Sequence, residues 1–284
     1  MKFNFIKLLP VFLLTACATT YQLPLSSPPA KFLAVPIVTE QDEAAIDNCL
    51  VGCPTGGSEQ TLTRKVYTLN NNSSTKFANW VAYKITKESH ASGRRRNWAK
   101  DPQLPATDTL APTAYSGANG QLAVDRGHQA PLSSLAGHDD WRALNYLSNI
   151  TPQKSALNQG AWARLEDQER LLANSPEVTA VYSVTGPLFE RDIATLPAND
   201  AVQIPSGYWK VIFIGSGPNE GQYAAFLMDQ DIAKSAQFCD YQVTIDSIEE
   251  KTNPKLTIWP ALPDDVAKTI KSQKGTLAKE MGCA

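Results

Sequence analysis

The chain has 284 residues, 43% apolar and 19% charged, which excludes a disordered chain, a coiled coil and a collagen-like repeat. No stretch reaches the roughly 18 consecutive apolar residues that a spanning helix needs, so a polytopic membrane protein is excluded too. With 26 basic against 28 acidic residues the net charge is −2, so any polyanion binding must be local.

The chain opens on what reads as an address. Lys2 and Lys7 precede or interrupt the apolar stretch Phe3 to Leu14, and Thr15-Ala16-Cys17 follows. A basic start, a short apolar run and small residues make an export signal over residues 1–16. An ordinary buried first helix suits Pro10 and the polar run after it poorly. Leu14-Thr15-Ala16-Cys17 resembles a bacterial lipobox, so Cys17 is expected to carry lipid and become the first mature residue, with simple cleavage near Ala16 as the alternative. The expected location is therefore outside the cytoplasm, as a lipoprotein anchored to the outer membrane or cell surface rather than freely secreted. Residues 17–45, containing Ser26-Ser27-Pro28-Pro29, read as a flexible tether. Residues 46–284 show no internal repeat or second composition shift and are expected to form one domain.

With Cys17 lipidated, Cys49, Cys53, Cys239 and Cys283 remain, and four cysteines allow three pairings. Cys49-x-x-x-Cys53 can close a small loop, which leaves Cys239 with Cys283. That second closure spans about 45 residues and contributes roughly 4 kcal/mol in the chain-entropy account. The rival is a four-cysteine zinc site, disfavoured because the spacing lacks a second close pair.

Thr63 to Leu69 and Asn79 to Ile85 read as adjacent strands across Asn70-Asn71-Asn72-Ser73-Ser74. Ala91 to Ala111 is a basic, proline-bearing loop. Leu122 to Arg126 reads as a short strand leading into Gly127-His128, Asp140 to Tyr146 as helical, and Ser148 to Thr151 as extended. Ala156 to Ala173 is the clearest helix, with Leu157, Ala161, Leu165 and Leu172 on one stripe. Val178 to Thr185, Tyr208 to Ile214 and Tyr223 to Met228 are expected as buried strands, Phe238 to Ile245 as another, and Asp264 to Lys271 as a late helix. Helices mixed with meandering strands indicate an α+β layer architecture.

Of three histidines, His90 and His138 lie in polar loops and read as solvated. His128 stands in Asp125-Arg126-Gly127-His128. Residues two apart on a strand share a face, so Arg126 and His128 project together, while Gly127 would let a ligand approach the backbone. A planar cation beside a group titrating near neutrality suits a phosphodiester, although a structural histidine fits the spacing as well. Asn158 opens the long helix, where it is either an N-cap or a donor of one amide oxygen to a hard cation. Glu166, eight residues on, lies roughly 12 Å along a continuous helix and about 80° round it, too far to grip the same ion directly. Glu166 would then act through water on that ion or on a neighbouring cation. Arg170 is its ordinary i, i+4 partner. Trp162 fits core or site wall.

These residues also carry a resemblance. Val124-Asp125-Arg126-Gly127-His128-Gln129-Ala130-Pro131 is similar to the DRGH signature of the DNA/RNA non-specific endonucleases, within the ββα-metal superfamily. Asn145-Tyr146-Leu147-Ser148-Asn149-Ile150-Thr151-Pro152-Gln153 and Leu157-Asn158-Gln159-Gly160-Ala161-Trp162-Ala163-Arg164-Leu165-Glu166 fit the same family. So do Cys49 to Pro54, Asn97-Trp98, Thr185 to Leu188 and Met281-Gly282-Cys283. The likeness spans about residues 45–284, and the lipobox-like run and tether fall outside it.

The resemblance implies an α+β fold whose central antiparallel sheet, flanked by helices, carries a ββα-metal finger. It implies His128 as general base and Asn158 as the one protein ligand of an otherwise hydrated Mg²⁺, with Mn²⁺ able to substitute. Arg96, before Asn97-Trp98, would stabilise charge on the pentavalent phosphate, a role Arg94 and Arg95 need not share. Arg126, Asn149 and Glu166 match further active-site positions, and Arg170 an accessory basic one. The implied cysteine pairs are those inferred above, and the implied assembly is a homodimer. The implied activity is hydrolysis of internal phosphodiesters in DNA and RNA, single- or double-stranded, to 5′-phosphate products. A non-cleaving nucleic-acid receptor would be expected to have lost His128, Asn158 or Arg96, and all three are present. A zinc-bearing HNH nuclease is disfavoured by the missing second histidine and by asparagine as ligand.

Overall fold

A computed structural model describes residues 47–217 and 220–284. The export signal, Cys17 and the whole tether over residues 17–45 lie outside the described residues. The first strands are β1 (Thr61–Thr63), β2 (Thr68–Asn71) and β3 (Ala78–Ile85). The middle of the chain forms α1 (Ala118–Leu122), β4 (Val124–His128), α2 (Leu132–Leu135), β5 (Ile150–Lys154), α3 (Ser155–Asn158) and α4 (Ala161–Asn174). Then come β6 (Val181–Leu188), β7 (Thr195–Leu196), β8 (Asn199–Gln203), β9 (Gly207–Ile214), β10 (Tyr223–Asp229) and β11 (Gln242–Val243). Helices α5 (Ile245–Lys251), α6 (Asp264–Lys271) and α7 (Leu277–Glu280) close the chain.

Seven strands form one sheet in the order β1-β2-β3-β6-β9-β10-β11, each neighbouring pair antiparallel. Every residue of β6 and β9 is buried, so both faces of the sheet must be covered. Alternation sends Tyr208 and Ile212 to one face and Trp209, Val211 and Phe213 to the other. The first face packs on Ala161, Trp162 and Leu165 of α4, the second on Ile245 and Ile248 of α5. The α+β architecture, a central antiparallel sheet flanked by helices, is the one expected.

Lys210 breaks this alternation chemically. It points from β9 toward α4 and is fully buried, with Nζ 2.8 Å from an equally buried Glu169 carboxylate. The Tyr83 hydroxyl donates to Glu169 Oε1 at 3.0 Å, and the Ser183 hydroxyl donates to the same oxygen. The ammonium also lies 4.9 Å from the Trp162 ring centroid and 5.6 Å from that of Tyr83. Two charges taken from water are thus matched by a full partner set.

Several elements differ from the sequence expectation. The strand expected over Thr63–Leu69 straddles a turn: β1 ends at Thr63 and β2 begins at Thr68, with Arg64 N–H donating to the Tyr67 carbonyl at 2.8 Å. The strand expected from Leu122 begins at Val124 and runs through His128, because Leu122 ends α1 and Ala123 takes a left-handed φ of 51°. The helical segment near residue 140 is a 3-10 turn over Trp141–Asn145, and a second 3-10 turn over Leu147–Asn149 delays the extended chain to Ile150. The strand expected over Phe238–Ile245 is a 3-10 turn (Phe238–Tyr241), the two residues of β11 and the start of α5. There the Thr244 hydroxyl caps the helix by accepting from Ser247 N–H at 3.2 Å. The hairpin β7–β8 was not foreseen. Helix α6 has the expected bounds.

The largest correction concerns the long helix. It is two helices, α3 and α4, separated at Gln159-Gly160. A side chain at Gly160 would put its Cβ 2.3 Å from the Ala156 carbonyl oxygen and 2.6 Å from that of Lys234, so the close approach of the 234 backbone requires glycine. Asn158 is therefore the last residue of α3, neither an N-cap nor the start of a long helix, and the straight-helix separation from Glu166 does not apply. The disulfides are Cys49–Cys53 and Cys239–Cys283, with Cα separations of 4.9 and 5.3 Å. These pairs exclude the four-cysteine zinc site.

Candidate active site

Strands β4 and β5 pair antiparallel from Val124↔Lys154 to His128↔Ile150, and α3 follows β5 without a gap. This ββα unit is tied to the large sheet through Pro152, whose carbonyl accepts from the Tyr208 hydroxyl at 2.9 Å and from Gln230 Nε2 at 2.8 Å. Leu157, fully buried in the main core, anchors α3. A polar cavity of about 560 Å³ opens beside the unit, lined among others by Arg96, Trp98, Arg126, His128, Asn158, Glu166 and Arg170. All of the expected site residues except Asn149 meet there.

Arg126 and His128 share a face of β4, as strand alternation requires. Gly127 serves the opposite face: a Cβ would meet Gln153 Oε1 at 2.5 Å. Its glycine accommodates the partner strand, and the expected ligand approach at this position is corrected.

His128 sits against Trp98, ring centroids 5.3 Å apart, with Nε2 3.3 Å from Asn145 Oδ1. Asn145 Nδ2 donates to the Arg95 carbonyl at 3.4 Å, so its oxygen is the end that faces the imidazole. That orientation assigns the imidazole proton to Nε2, which leaves the Nδ1 lone pair as the one that accepts. Burial lowers the His128 pKa from 6.5 to about 4; the Asn145 hydrogen bond opposes that shift and the Arg96 charge adds to it. At neutral pH the ring is a base.

Asn158 Nδ2 donates to Asp125 Oδ2 at 2.9 Å, which fixes the side chain and leaves its Oδ1 as the unengaged end. Asp125 accepts three more hydrogen bonds, each at 2.8 Å, from Gln159, Ser155 and Asn119. Burial works against the Asp125 charge, but these donors outweigh it and hold its carboxyl below the ordinary carboxylate value. Among the described residues no group of three or more His, Cys, Asp or Glu could hold a metal, which excludes a tetrahedral zinc-type donor set there. One oriented amide oxygen on a polar cavity wall does fit a hard cation that keeps most of its water.

Glu166 faces the cavity from α4. Burial pushes its carboxyl up to about 7; Lys210 and Arg170 pull it down, while Glu169 and Asp167 push it further up. Arg170 donates to Ser134 Oγ at 3.1 Å and pairs with Asp167 rather than with Glu166, which corrects the expected i, i+4 pair. The Arg126 guanidinium lies 5.2 Å from the Tyr115 ring and 5.7 Å from that of Trp98, and donates to the Pro112 carbonyl at 3.0 Å. Arg96 is exposed on the rim. Trp162 is 2% exposed, part of the core rather than the cavity wall.

Asn149 is fully buried and off the cavity. Its amide donates to the carbonyls of Leu144 and Ala130 at 2.9 and 3.1 Å and accepts from Ala130 N–H at 2.8 Å. It braces the backbone leaving His128, so the active-site position that the resemblance implies for it lies behind the cavity rather than on its wall. Asp125 and Asn145 are the site residues that sequence reasoning missed. Both lie inside the quoted runs, but their partners stand 33 and 17 residues away, a separation that no local pattern signals.

A family model described as DNA/RNA non-specific endonuclease matches residues 45–265. A protein named Nuclease from Serratia marcescens is 62% identical over 241 residues, covering 84% of this chain and 90% of that protein. Human mitochondrial endonuclease G is 29% identical over 217 residues, 68% of each chain. Among solved structures, one titled as the EndoG/EndoGI complex superposes with a TM-score of 0.62 at 22% identity, covering 74% of this chain and 89% of that one, and shares the fold.

Proposed function

We infer the reaction from the premise that this chain belongs to the DNA/RNA non-specific endonuclease family. It is an endonuclease of a metal-dependent family. The finer reading is hydrolysis of internal phosphodiesters in DNA and RNA to 5′-phosphate ends, with Mg²⁺ as the ion and Mn²⁺ as a substitute. The observation that carries it is the convergence of His128, Asn158, Arg96 and Arg126 on one cavity. His128 Nδ1 takes a proton from water as that oxygen bonds to phosphorus and the bond to the 3′-oxygen breaks. Arg96 and Arg126 place fixed positive charge where the pentavalent phosphate gains negative charge. Asn158 would hold the ion through its Oδ1, and a bound ion would supply Lewis-acid charge to the phosphate and its leaving group. Asp125 keeps the Asn158 oxygen aimed. None of these groups needs a base edge or a 2′-hydroxyl, which supports indifference to sequence and sugar. Digestion of plasmid and transfer RNA by the oxidised protein, with Mg²⁺ and then with chelator, tests the reading. Intact substrates in the presence of Mg²⁺ would refute it.

Because the folded His128 is a neutral base well below pH 6.5, kcat/KM should hold through the neutral range and fall only as pH approaches about 4. Glu166 titrates near 7, so the profile is compared with that of Glu166→Gln to assign each limb. A His128 limb at or above pH 6.5 in the Gln variant would contradict the lowered pKa.

The same reading places the protein outside the cytoplasm, lipidated on Cys17 at the outer membrane or cell surface, and assembled as a homodimer. The lipobox-like run supports the anchor. Cys17→Ser should move the protein from the membrane fraction to the soluble one as a particle of twice the chain mass. Unchanged partitioning would end the anchor proposal, and a monomer mass the dimer.

A further inference from the structure

All nine arginines of the chain fall between residues 64 and 191. Among the described residues, ion pairs take up Arg64, Arg170 and Arg191, and none involves Arg94, Arg95, Arg96, Arg126 or Arg142. Arg96 and Arg126 belong to the cavity already described. Arg94 and Arg142 do not line it, yet the structure gives them a common support. The Arg94 guanidinium lies 4.9 Å from the Trp141 ring centroid and that of Arg142 lies 5.2 Å from it. Arg94 is further held by donating from Nε to the Ala136 carbonyl at 3.3 Å. Both arginines are exposed and Trp141 is half-buried, so the indole is a fixed pedestal and the guanidiniums are its outward layer.

Contact with the ring engages the face of a guanidinium and leaves its in-plane N–H donors, other than Arg94 Nε, for a phosphate to meet. It also removes much of the rotamer freedom that a loose arginine would lose on binding. The adjacent acids Asp139 and Asp140 form no ion pair with either guanidinium among the described residues. The pedestal is tied to the catalytic centre on two sides. Arg94 is two residues from Arg96, within about 7 Å of chain. Arg142 is three residues from Asn145, and in a 3-10 turn such residues eclipse on one face about 6 Å apart. Asn145 is the residue that holds His128.

Resting on the nuclease reading, we propose that Arg94 and Arg142, stacked on Trp141, form a backbone-binding strip for the nucleic-acid strand beyond the scissile phosphate. The strip binds phosphates flanking the cleaved one, adds affinity without reading bases, and takes no part in bond breaking.

The test is steady-state cleavage of a long DNA duplex by the whole protein over a series of salt concentrations, comparing wild type, Arg94→Gln/Arg142→Gln and Arg94→Lys/Arg142→Lys. Cleavage by the wild type checks the nuclease reading independently of the strip. In the Gln variant KM should rise about fivefold per lost contact at 0.15 M salt, and the plot of log KM against log salt should become shallower by about 0.9 per arginine, with kcat within about twofold. The Lys variant should recover most of the slope, because charge is retained, and less of the affinity, because the stack is lost. Unchanged KM and slope, or a fall in kcat without a change in KM, would overturn the strip. A Gln variant that fails to fold moves the test to the Lys variant, whose unchanged KM would overturn it equally.

Discussion

His128→Ala is expected to cleave DNA and RNA at between about one hundredth and one ten-thousandth of the wild-type rate, a barrier increase of roughly 3 to 5 kcal/mol. The loss should fall on kcat, since the imidazole acts on water and does not hold the substrate. Stability should change little: the side chain makes one long hydrogen bond, to Asn145, and is folded in its neutral form. Asn145→Ala should lower kcat by less, because the base survives while its tautomer is no longer fixed. Turnover of the alanine variant within a few-fold of wild type, measured on protein with an unchanged melting curve, would remove His128 from its role. An Asn145 variant slower than His128→Ala would show that the pair had been read in the wrong order.

The second large effect is expected at Asp125 and Asn158. Asn158→Ala deletes the only protein oxygen assigned to the ion, so activity at ordinary Mg²⁺ should collapse and recover only in part at high concentration. An unaltered Mg²⁺ titration would dismiss the assignment. Asp125→Asn leaves Asn158 in place but replaces a pure acceptor with a group that also donates. Three of its four partners present amide nitrogens to that carboxylate: Asn158 and Gln159 on Oδ2, and Asn119 on Oδ1. The new amide would favour a flipped Asn158 whose nitrogen, not its oxygen, is left for the cavity. The Mg²⁺ needed for half-maximal activity should rise about 10- to 100-fold, the usual cost of disturbing a residue that orients a metal ligand. A shift in kcat with no shift in Mg²⁺ requirement would mean that Asp125 acts on something else.

What was legible in the sequence follows from range. Helix α6 could be read to the residue because its start and end signals, Asp264-Asp265 and Lys271, lie within it. The long strands of the sheet announced themselves as continuous apolar runs. The break before α4 did not, because the apolar stripe continues in phase across it; the lone signal was Gly160, a residue a helix interior tolerates at a cost of about 1 kcal/mol. The segment before α5 was misread because Phe238 and Tyr241 favour strands, while the Thr244 cap was available and unused. At the site, residue types singled out His128 and Asn158, and the family resemblance assigned them the roles of base and ligand. Neither could name Asp125 as the anchor of one and Asn145 as that of the other, nor show that Asn149 spends its amide on backbone.

The salt link between Lys210 and Glu169 has a further effect on how the molecule opens. With no solvent near either charge, α4 cannot lift from β9 without stranding an ammonium and a carboxylate in an apolar interior. Partial melting of α4 alone is thereby made costly, and α4 and the central sheet should come apart in one event. Amide protons in the middle of α4 should accordingly exchange with deuterium at the same slow rate as those of β9, and more slowly than those of α6.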